Sequence, residues 1–413
     1  MTSHSAKGNS FFASCPSGLE TVLKTEIETL INDGKLESIY EERGGQRFHA
    51  DVKDALSFAI QSRFASRLYR ELFSFGFKNE RDFAFKVQEI DWPELMELDD
   101  TFKINTLFDG EAKRFFKSSM IFSQLMKDAI ADTFRNKFGK RPSVDKENPL
   151  LNFLVRVEAS PKKGWYARIL LDMTGVPLSD RGYRIESRGA PLRENLAAGL
   201  VALSEWDGQS DFLDPFCGSG TLLVEAGLKA LELPTQYIAI RDFVEKRTYP
   251  FSFLAQKWFT SSRELGEWWT DFAKRTHDEI IDKLNKKFEH PIIFGSDNNG
   301  RILDLARDHI KEAGLPPSLF DITEESALER RAPSEKGIVI CNPPYGERLM
   351  TPEQAMELIH DFGEHLKQNF KGWKACLILP HGELKKAISL RTSAKIPVWN
   401  GQLECRLFIY DLF

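Results

Sequence analysis

Cysteine is scarce in this chain: five in 413 residues, none of them in a CxxC pair. That leaves neither a disulfide framework nor a zinc knuckle. An HExxH pair is lacking as well, and no clustered His/Asp arrangement stands in for it, so no metal is expected. No apolar run approaches the length that crosses a bilayer. The segment Met1-Thr-Ser-His-Ser-Ala-Lys-Gly-Asn-Ser10 has no apolar signal-peptide core. Two nucleotide fingerprints are missing too. A P-loop needs a lysine after its last glycine and the dinucleotide GxGxxG needs a third glycine, but Gly218-Ser-Gly220 is followed by Thr221-Leu-Leu223. There are no internal repeats or low-complexity segments. The expectation is a cytoplasmic protein without membrane or metal, taken as a monomer.

What is present is an ordinary soluble composition, 42% hydrophobic and 28% charged, in a length that suits two or three domains. The net charge of −5 argues against a generally basic nucleic-acid binder, yet the charge is unevenly spread. Residues 111–190 hold 16 Lys/Arg against 9 Asp/Glu, a balance of +7 that leaves −12 on the rest of the chain. A basic block in an acidic protein is the footprint of a local phosphate-binding surface; the plainer alternative is a solvated basic helix face.

The first half reads as segregated strands and helices, an α+β pattern. Phe11-Phe-Ala-Ser is strand-like, and Gly18–Leu30 is helical with Leu19, Val22, Leu23, Ile27 and Leu30 on one face. A turn-rich Glu41-Glu-Arg-Gly-Gly45 comes next, then a helix near Asp51–Ser66. Strand-like pieces at 102–108, 151–157 and 165–171 surround a helix over about Ser118–Phe138, with Gly139 and Pro142 as stop signals. After Pro191 the character changes. Apolar runs at 212–213, 291–294, 338–340, 375–379 and 403–410 alternate with helical stretches, which predicts a doubly wound, mostly parallel sheet. Residues 234–290 break that rhythm with Tyr249-Pro-Phe-Ser-Phe253, Trp258-Phe259 and Trp268-Trp269. They read as an inserted helical layer whose aromatics pack rather than stack on bases.

Three motifs carry chemistry. Asn342-Pro-Pro-Tyr345 closes the apolar run Gly337-Ile-Val-Ile-Cys341. Each proline fixes its own φ and biases the residue before it to an extended shape. Asn342 is therefore held extended, and its side-chain oxygen and the Pro343 carbonyl form an acceptor pair beside the Tyr345 ring. Such a shelf suits a flat ring with an exocyclic NH2, unless it is only a proline-rich turn. In Asp211-Phe-Leu-Asp-Pro-Phe-Cys-Gly-Ser-Gly-Thr-Leu222 a short strand opens into a glycine turn and a helix. Gly218 and Gly220 let a ligand approach the backbone, and the helix offers free N–H groups. Finally, Pro291-Ile-Ile-Phe-Gly-Ser-Asp297 is a strand ending in an acid. Asp297 suits a ribose diol, or else caps the next helix.

Asp214-Pro-Phe-Cys-Gly-Ser-Gly-Thr221, Gly295-Ser-Asp297 and Asn342-Pro-Pro-Tyr-Gly-Glu-Arg-Leu349, in this order, resemble the S-adenosylmethionine-dependent amino-methyltransferases of RNA. Thr174-Gly-Val-Pro-Leu-Ser-Asp-Arg-Gly-Tyr-Arg184 and Ala190-Pro-Leu-Arg-Glu-Asn-Leu-Ala197 are similar to the link region of their THUMP-containing branch. Lys127-Asp-Ala-Ile130 and Arg141-Pro-Ser-Val-Asp145 are similar to the THUMP domain itself. The resemblance covers nearly the whole chain and is strongest to the branch that methylates guanine N2 in large-subunit rRNA. It implies a Rossmann-like α/β class I methyltransferase sheet over 196–413, interrupted by the insert at about 234–290. Ahead of it come an α+β ferredoxin-like domain (1–68), an RNA-binding THUMP domain (69–172) and a linker (173–195). Some relatives carry a second methyltransferase domain; with Phe413 as the last residue, only the guanine-N2 half is expected.

By the same resemblance S-adenosylmethionine is the cofactor, held by Asp214, Phe216, Cys217, Gly218, Gly220, Thr221, Asp297 and Asn342. An acid after the third strand would hold the adenine amine; Glu324 is the first choice, with Glu325 in register beside it and Asp321 less suited. The chain departs from its relatives at Asn298-Asn-Gly, where another acid and a proline are usual, so the ribose grip rests on Asp297 alone. Asn342, Pro343, Pro344 and Tyr345 form the catalytic shelf. RNA contacts are expected from Lys137, Lys140, Arg141, Arg181 and Arg184, although the two linker arginines could instead lock the domains together. The shelf serves adenine as well as guanine. A tRNA guanine-N2 enzyme, an adenine-N6 enzyme and a non-catalytic RNA-binding assembly factor therefore stay open.

Overall fold

The computed structural model describes residues 9–31, 34–159, 164–186, 192–345 and 351–413. The Gly346–Leu349 part of the third motif and Ala190-Pro191 of the link region lie outside these residues. Among the described residues the chain builds two sheets. The first has eight strands: β1 (Ser10–Ser14), β2 (Ser38–Glu42), β3 (Gly45–His49), β4 (Arg67–Phe77), β5 (Thr101–Phe108), β6 (Ser143–Val144), β7 (Leu151–Ala159) and β8 (Trp165–Asp172). Their order is β2-β3-β1-β4-β8-β7-β5-β6, antiparallel except where β5 runs parallel to β6 and β7. The turn-rich Glu41–Gly45 is the β2–β3 hairpin, with Gly44 at φ 76°. The boundary expected between residues 68 and 69 falls inside β4, so the two N-terminal pieces share one sheet.

The second sheet has seven strands: β9 (Asp211–Asp214), β10 (Ile293–Asp297), β11 (Phe320–Glu324), β12 (Gly337–Cys341), β13 (Lys374–Pro380), β14 (Ala394–Asn400) and β15 (Leu403–Asp411). Their order is β11-β10-β9-β12-β13-β15-β14. β9 to β13 are parallel, while β15 runs antiparallel between β13 and β14. This mixed α/β sheet is the class I methyltransferase arrangement. The chain leaves β9 toward β10 and β11, then returns to the other side of β9 as β12. That reversal opens a crevice beyond the strand C-termini, where open α/β sheets bind ligands.

The two halves are packed together. Helix Glu194–Leu203 lies so close to the N-terminal helix that a Cβ on Gly199 would stand 2.5 Å from Leu19. One apolar core runs from Phe11 and Leu23 through Leu200 to Ile338 and Ile409. The insert is helical, chiefly Tyr237–Lys246 and Arg263–Leu284. Its Phe251, Phe253, Phe259 and Trp269 are buried against one another, with Phe253 and Trp269 centroids 5.0 Å apart. Gln256 donates to the Asp172 carbonyl at 2.9 Å, tying the insert to β8.

Candidate functional site

The crevice is lined by residues at the C-terminal ends of the parallel strands. β9 ends in Asp214, which is 2% exposed and accepts the Phe216 N–H at 3.1 Å. Burial pushes its carboxyl well above the ordinary 3.8, and nearby Asp297 adds to the rise. The chain then turns tightly through Cys217–Gly220, with the Gly220 N–H on the Cys217 carbonyl at 2.8 Å. Gly218 and Gly220 take φ 52° and 80°, in the left-handed region that glycine enters freely. A Cβ on Gly220 would press to 3.0 Å of Ala306, whereas one on Gly218 would meet nothing within 4 Å. The loop is thus closed against helix Gly300–Glu312 on one side and open on the other. Helix Thr221–Ala230 comes next, and its first N–H groups have no intrahelical acceptor.

Asp297 ends β10 and binds this loop. Its Oδ2 accepts the Gly218 N–H at 3.1 Å and its Oδ1 the Asn299 N–H at 3.0 Å. Burial raises its pKa, opposed by those two N–H groups. The next helix starts after Asn299, which occupies the N-cap position, so Asp297 is not that helix's cap. Glu324 ends β11 directly beside Asp297 in the strand register. Its carboxylate lies over the helix start: a Cβ on Gly300 would come within 2.6 Å of Glu324 Oε2. Glu325 is engaged elsewhere, paired with Arg330 at 3.0 Å, as is Asp321 at 3.5 Å. Among the described residues no cation pairs with Asp214, Asp297 or Glu324.

β12 delivers Asn342. Its Oδ1 is buried and has no hydrogen-bond partner among the described residues. Pro343 is buried and Pro344 half-buried. Tyr345 is half-buried with its hydroxyl 3.9 Å from Cys405 Sγ, and burial raises its pKa. Phe216 packs edge-on against Phe362 at 5.0 Å and Cys217 is buried below the loop. The shelf, the glycine loop, Asp297 and Glu324 therefore meet at one end of one sheet.

The basic residues divide. Lys137, Lys140 and Arg141 are exposed at the end of helix Met120–Phe138 and just beyond it, beside the exposed Phe138. Arg181 is buried, which corrects the expectation that it touches RNA, and Arg184 is half-buried in the domain-locking role weighed beside that expectation. Arg181 is 2% exposed and pairs with the buried Glu225 at 3.2 Å, while also donating to the Arg63 carbonyl at 2.7 Å. Arg184 pairs with Glu194 at 2.7 Å and donates to Thr221 Oγ1 at 3.1 Å. Both help lock the linker to the helix after the glycine loop, and the Thr221 hydroxyl faces the linker. His309, which belongs to none of the three motifs, donates from Nδ1 to the Ser219 carbonyl at 2.9 Å. Its signal in the sequence is a polar residue on the apolar stripe of Leu303, Ala306 and Ile310.

Three family models match this chain: an RMKL-like methyltransferase domain over residues 181–409, a THUMP domain over 77–160 and an RlmL ferredoxin-like domain over 10–69. Among named relatives, Ribosomal RNA large subunit methyltransferase K/L of Aliivibrio salmonicida is 34% identical over 96% of this chain and 52% of its own length. The protein of the same name from Methylococcus capsulatus is 35% identical over 97% and 51%. The chain thus spans about half the length of these relatives. The crystal structure of SMU.472 complexed with SAH superposes with a TM-score of 0.77 at 22% identity, covering 100% of this chain and 99% of that one. At that identity the likeness is one of fold.

Proposed function

Because the chain belongs to the RMKL-like methyltransferase domain family, we propose that it transfers a methyl group from S-adenosylmethionine to the exocyclic N2 of a guanosine in large-subunit ribosomal RNA. The observation that carries this reading is the buried, unpartnered Oδ1 of Asn342. A buried acceptor left unsatisfied is costly in free energy, and a substrate N–H is what would satisfy it. The crevice fits the donor as well. It offers open space before Gly218 and carboxylates at Asp214, Asp297 and Glu324 that no side-chain cation among the described residues neutralises. Asp297 would take the ribose hydroxyls, Glu324 the adenine amine, and the loop from Phe216 to Gly220 the remaining contour.

The bound cofactor supplies an electrophilic methyl group on a sulfonium. The protein's work is then positioning for an in-line displacement. A guanine amine is a poor nucleophile because its lone pair is delocalised into the ring. Asn342 Oδ1 and the Pro343 carbonyl accept its two N–H bonds, which raises electron density on nitrogen and aims the remaining lobe at the methyl carbon. Pro343 and Pro344 keep that pair rigid, and Tyr345 offers its ring face to the base. As the N–C bond forms and the S–C bond breaks, the extra proton on nitrogen leaves to water.

The base must leave its stack to reach this shelf, at a cost of a few kcal/mol. Phosphate contacts at Lys137, Lys140 and Arg141 would offset it. The match to a THUMP domain and the names of the two relatives support an RNA substrate. Nucleoside mass analysis of ribosomal and transfer RNA from a deletion strain tests the proposal. Loss of N2-methylguanosine from large-subunit rRNA, restored by the wild-type gene, is expected. Loss from tRNA instead, loss of N6-methyladenosine, or no loss at all would overturn it.

A further inference from the structure

His309 sits on helix Gly300–Glu312, wholly buried, behind the glycine loop. A carbonyl can only accept, so the 2.9 Å contact with the Ser219 oxygen fixes the proton on Nδ1. The other nitrogen, Nε2, is buried with no partner among the described residues. The imidazole therefore spends its polarity on the loop alone. On its far side it meets the Tyr183 ring edge-on at 5.9 Å, and Tyr183 belongs to the linker.

The peptide unit Ser219–Gly220 is consequently held at both ends. Its carbonyl is bound by His309, and its N–H is bound by the Cys217 carbonyl at 2.8 Å. Without His309 the Ser219 carbonyl would be a polar group on a 9% exposed residue facing the buried side of helix Gly300–Glu312. A flip of this peptide turns ψ of Ser219 and φ of Gly220, and the glycine puts up little resistance to a change of φ. A flip would pull the Gly220 N–H off the Cys217 carbonyl and undo the tight turn that shapes the loop.

We propose that His309 is a positioning residue for the cofactor: by holding the Ser219 carbonyl, it locks the glycine loop in the one backbone arrangement that receives S-adenosylmethionine. The proposal rests on the methyl-donor reading above. It differs from ordinary core packing in requiring a donor at Nδ1 rather than a ring.

The test measures S-adenosylhomocysteine binding by calorimetry and thermal unfolding for the full chain and three variants. His309→Asn puts an amide N–H where Nδ1 stands but gives up the ring. His309→Phe keeps the ring against Tyr183 and removes the donor. His309→Gln carries its amide out to the position of Nε2, beyond the carbonyl. The Phe variant should bind about tenfold more weakly than wild type, the scale of one buried hydrogen bond. The Asn variant should stay within about threefold even where its Tm falls below that of Phe. If Phe does not fold, Gln takes its place and should lose affinity as Phe would. Affinity that tracks Tm across the series, or equal affinities for Asn and Gln, would overturn the role of His309. Wild-type protein that does not bind S-adenosylhomocysteine would overturn the methyl-donor reading itself.

Discussion

The backbone N–H of Gly218 donates to Oδ2 of Asp297 across 3.1 Å, so the glycine loop after β9 and the acid at the end of β10 act as one unit. Asp297 both folds the loop and, in the proposed reading, grips the ribose. Asp297→Ala removes both functions, and affinity for S-adenosylhomocysteine should fall at least about tenfold. Calorimetry checks this, and an unchanged dissociation constant would leave Asp297 with no part in binding.

Asp214 links the site to pH. Burial raises its folded-state pKa above the ordinary value of 3.8. A raised acid contributes stability that is fully present below the unfolded pKa and is lost as pH climbs through the folded one. Asp214→Asn removes that loss while an amide oxygen still accepts the Phe216 N–H. Without ligand, wild type and variant should melt together at pH below 3.8. At neutral pH the variant should melt higher, by roughly 2 °C or more. Paired melts across that range decide the matter; equal melting temperatures at neutral pH contradict the assignment.

Asn342→Ala separates catalysis from folding. Its side-chain oxygen is buried without a partner among the described residues, so removing it should leave the melting temperature unchanged or slightly raised. S-adenosylhomocysteine affinity should persist, while single-turnover methylation of rRNA falls by roughly a hundredfold or more. Methylation near the wild-type rate would remove the shelf from the mechanism.

Much of this site was legible because its motifs are local. Asn342-Pro-Pro-Tyr345 and Gly218-Ser-Gly220 dictate backbone shape from adjacent residues, with no need of tertiary context. The second sheet was legible from its apolar runs except at its two edges, β11, where Asp321 and Thr323 interrupt the apolar residues, and β14. β14 contains Pro397, which disqualifies a central strand but is tolerated where no neighbour needs its N–H. β4 stayed hidden because its register shifts between Glu71 and Phe73, and a bulge breaks the two-residue alternation that marks a strand. Arg181 reads as a surface cation until Glu225, 44 residues away, is seen to bury it. Long-range pairing of that kind has no local signature.

The exposed cations past helix Met120–Phe138 should behave differently from the buried ones. Lys140→Gln and Arg141→Gln should weaken rRNA-fragment binding and reduce the slope of log affinity against log salt by about one for each phosphate no longer neutralised. Filter binding across a salt series measures this, with S-adenosylhomocysteine affinity as the control that should not move. An unaltered slope places the RNA elsewhere on the protein.

Gly300 tests Glu324 without touching it. A Cβ there would stand 2.6 Å from Glu324 Oε2, the far end of a flexible side chain, so the carboxylate should swing away while the backbone stays. Alanine is the better helix former by up to about 1 kcal/mol, less at a first helical position, so Gly300→Ala should hold or raise the melting temperature. If Glu324 accepts the adenine amine, the variant should lose discrimination between S-adenosylhomocysteine and S-inosylhomocysteine, which lacks that amine. Wild type should favour the adenosyl compound by about tenfold, and the variant should close most of that gap. Competitive calorimetry reads the ratio directly. A wild-type ratio in Gly300→Ala would assign the adenine contact to a residue other than Glu324, and to one other than Glu325 or Asp321, since Arg330 holds both of those acids.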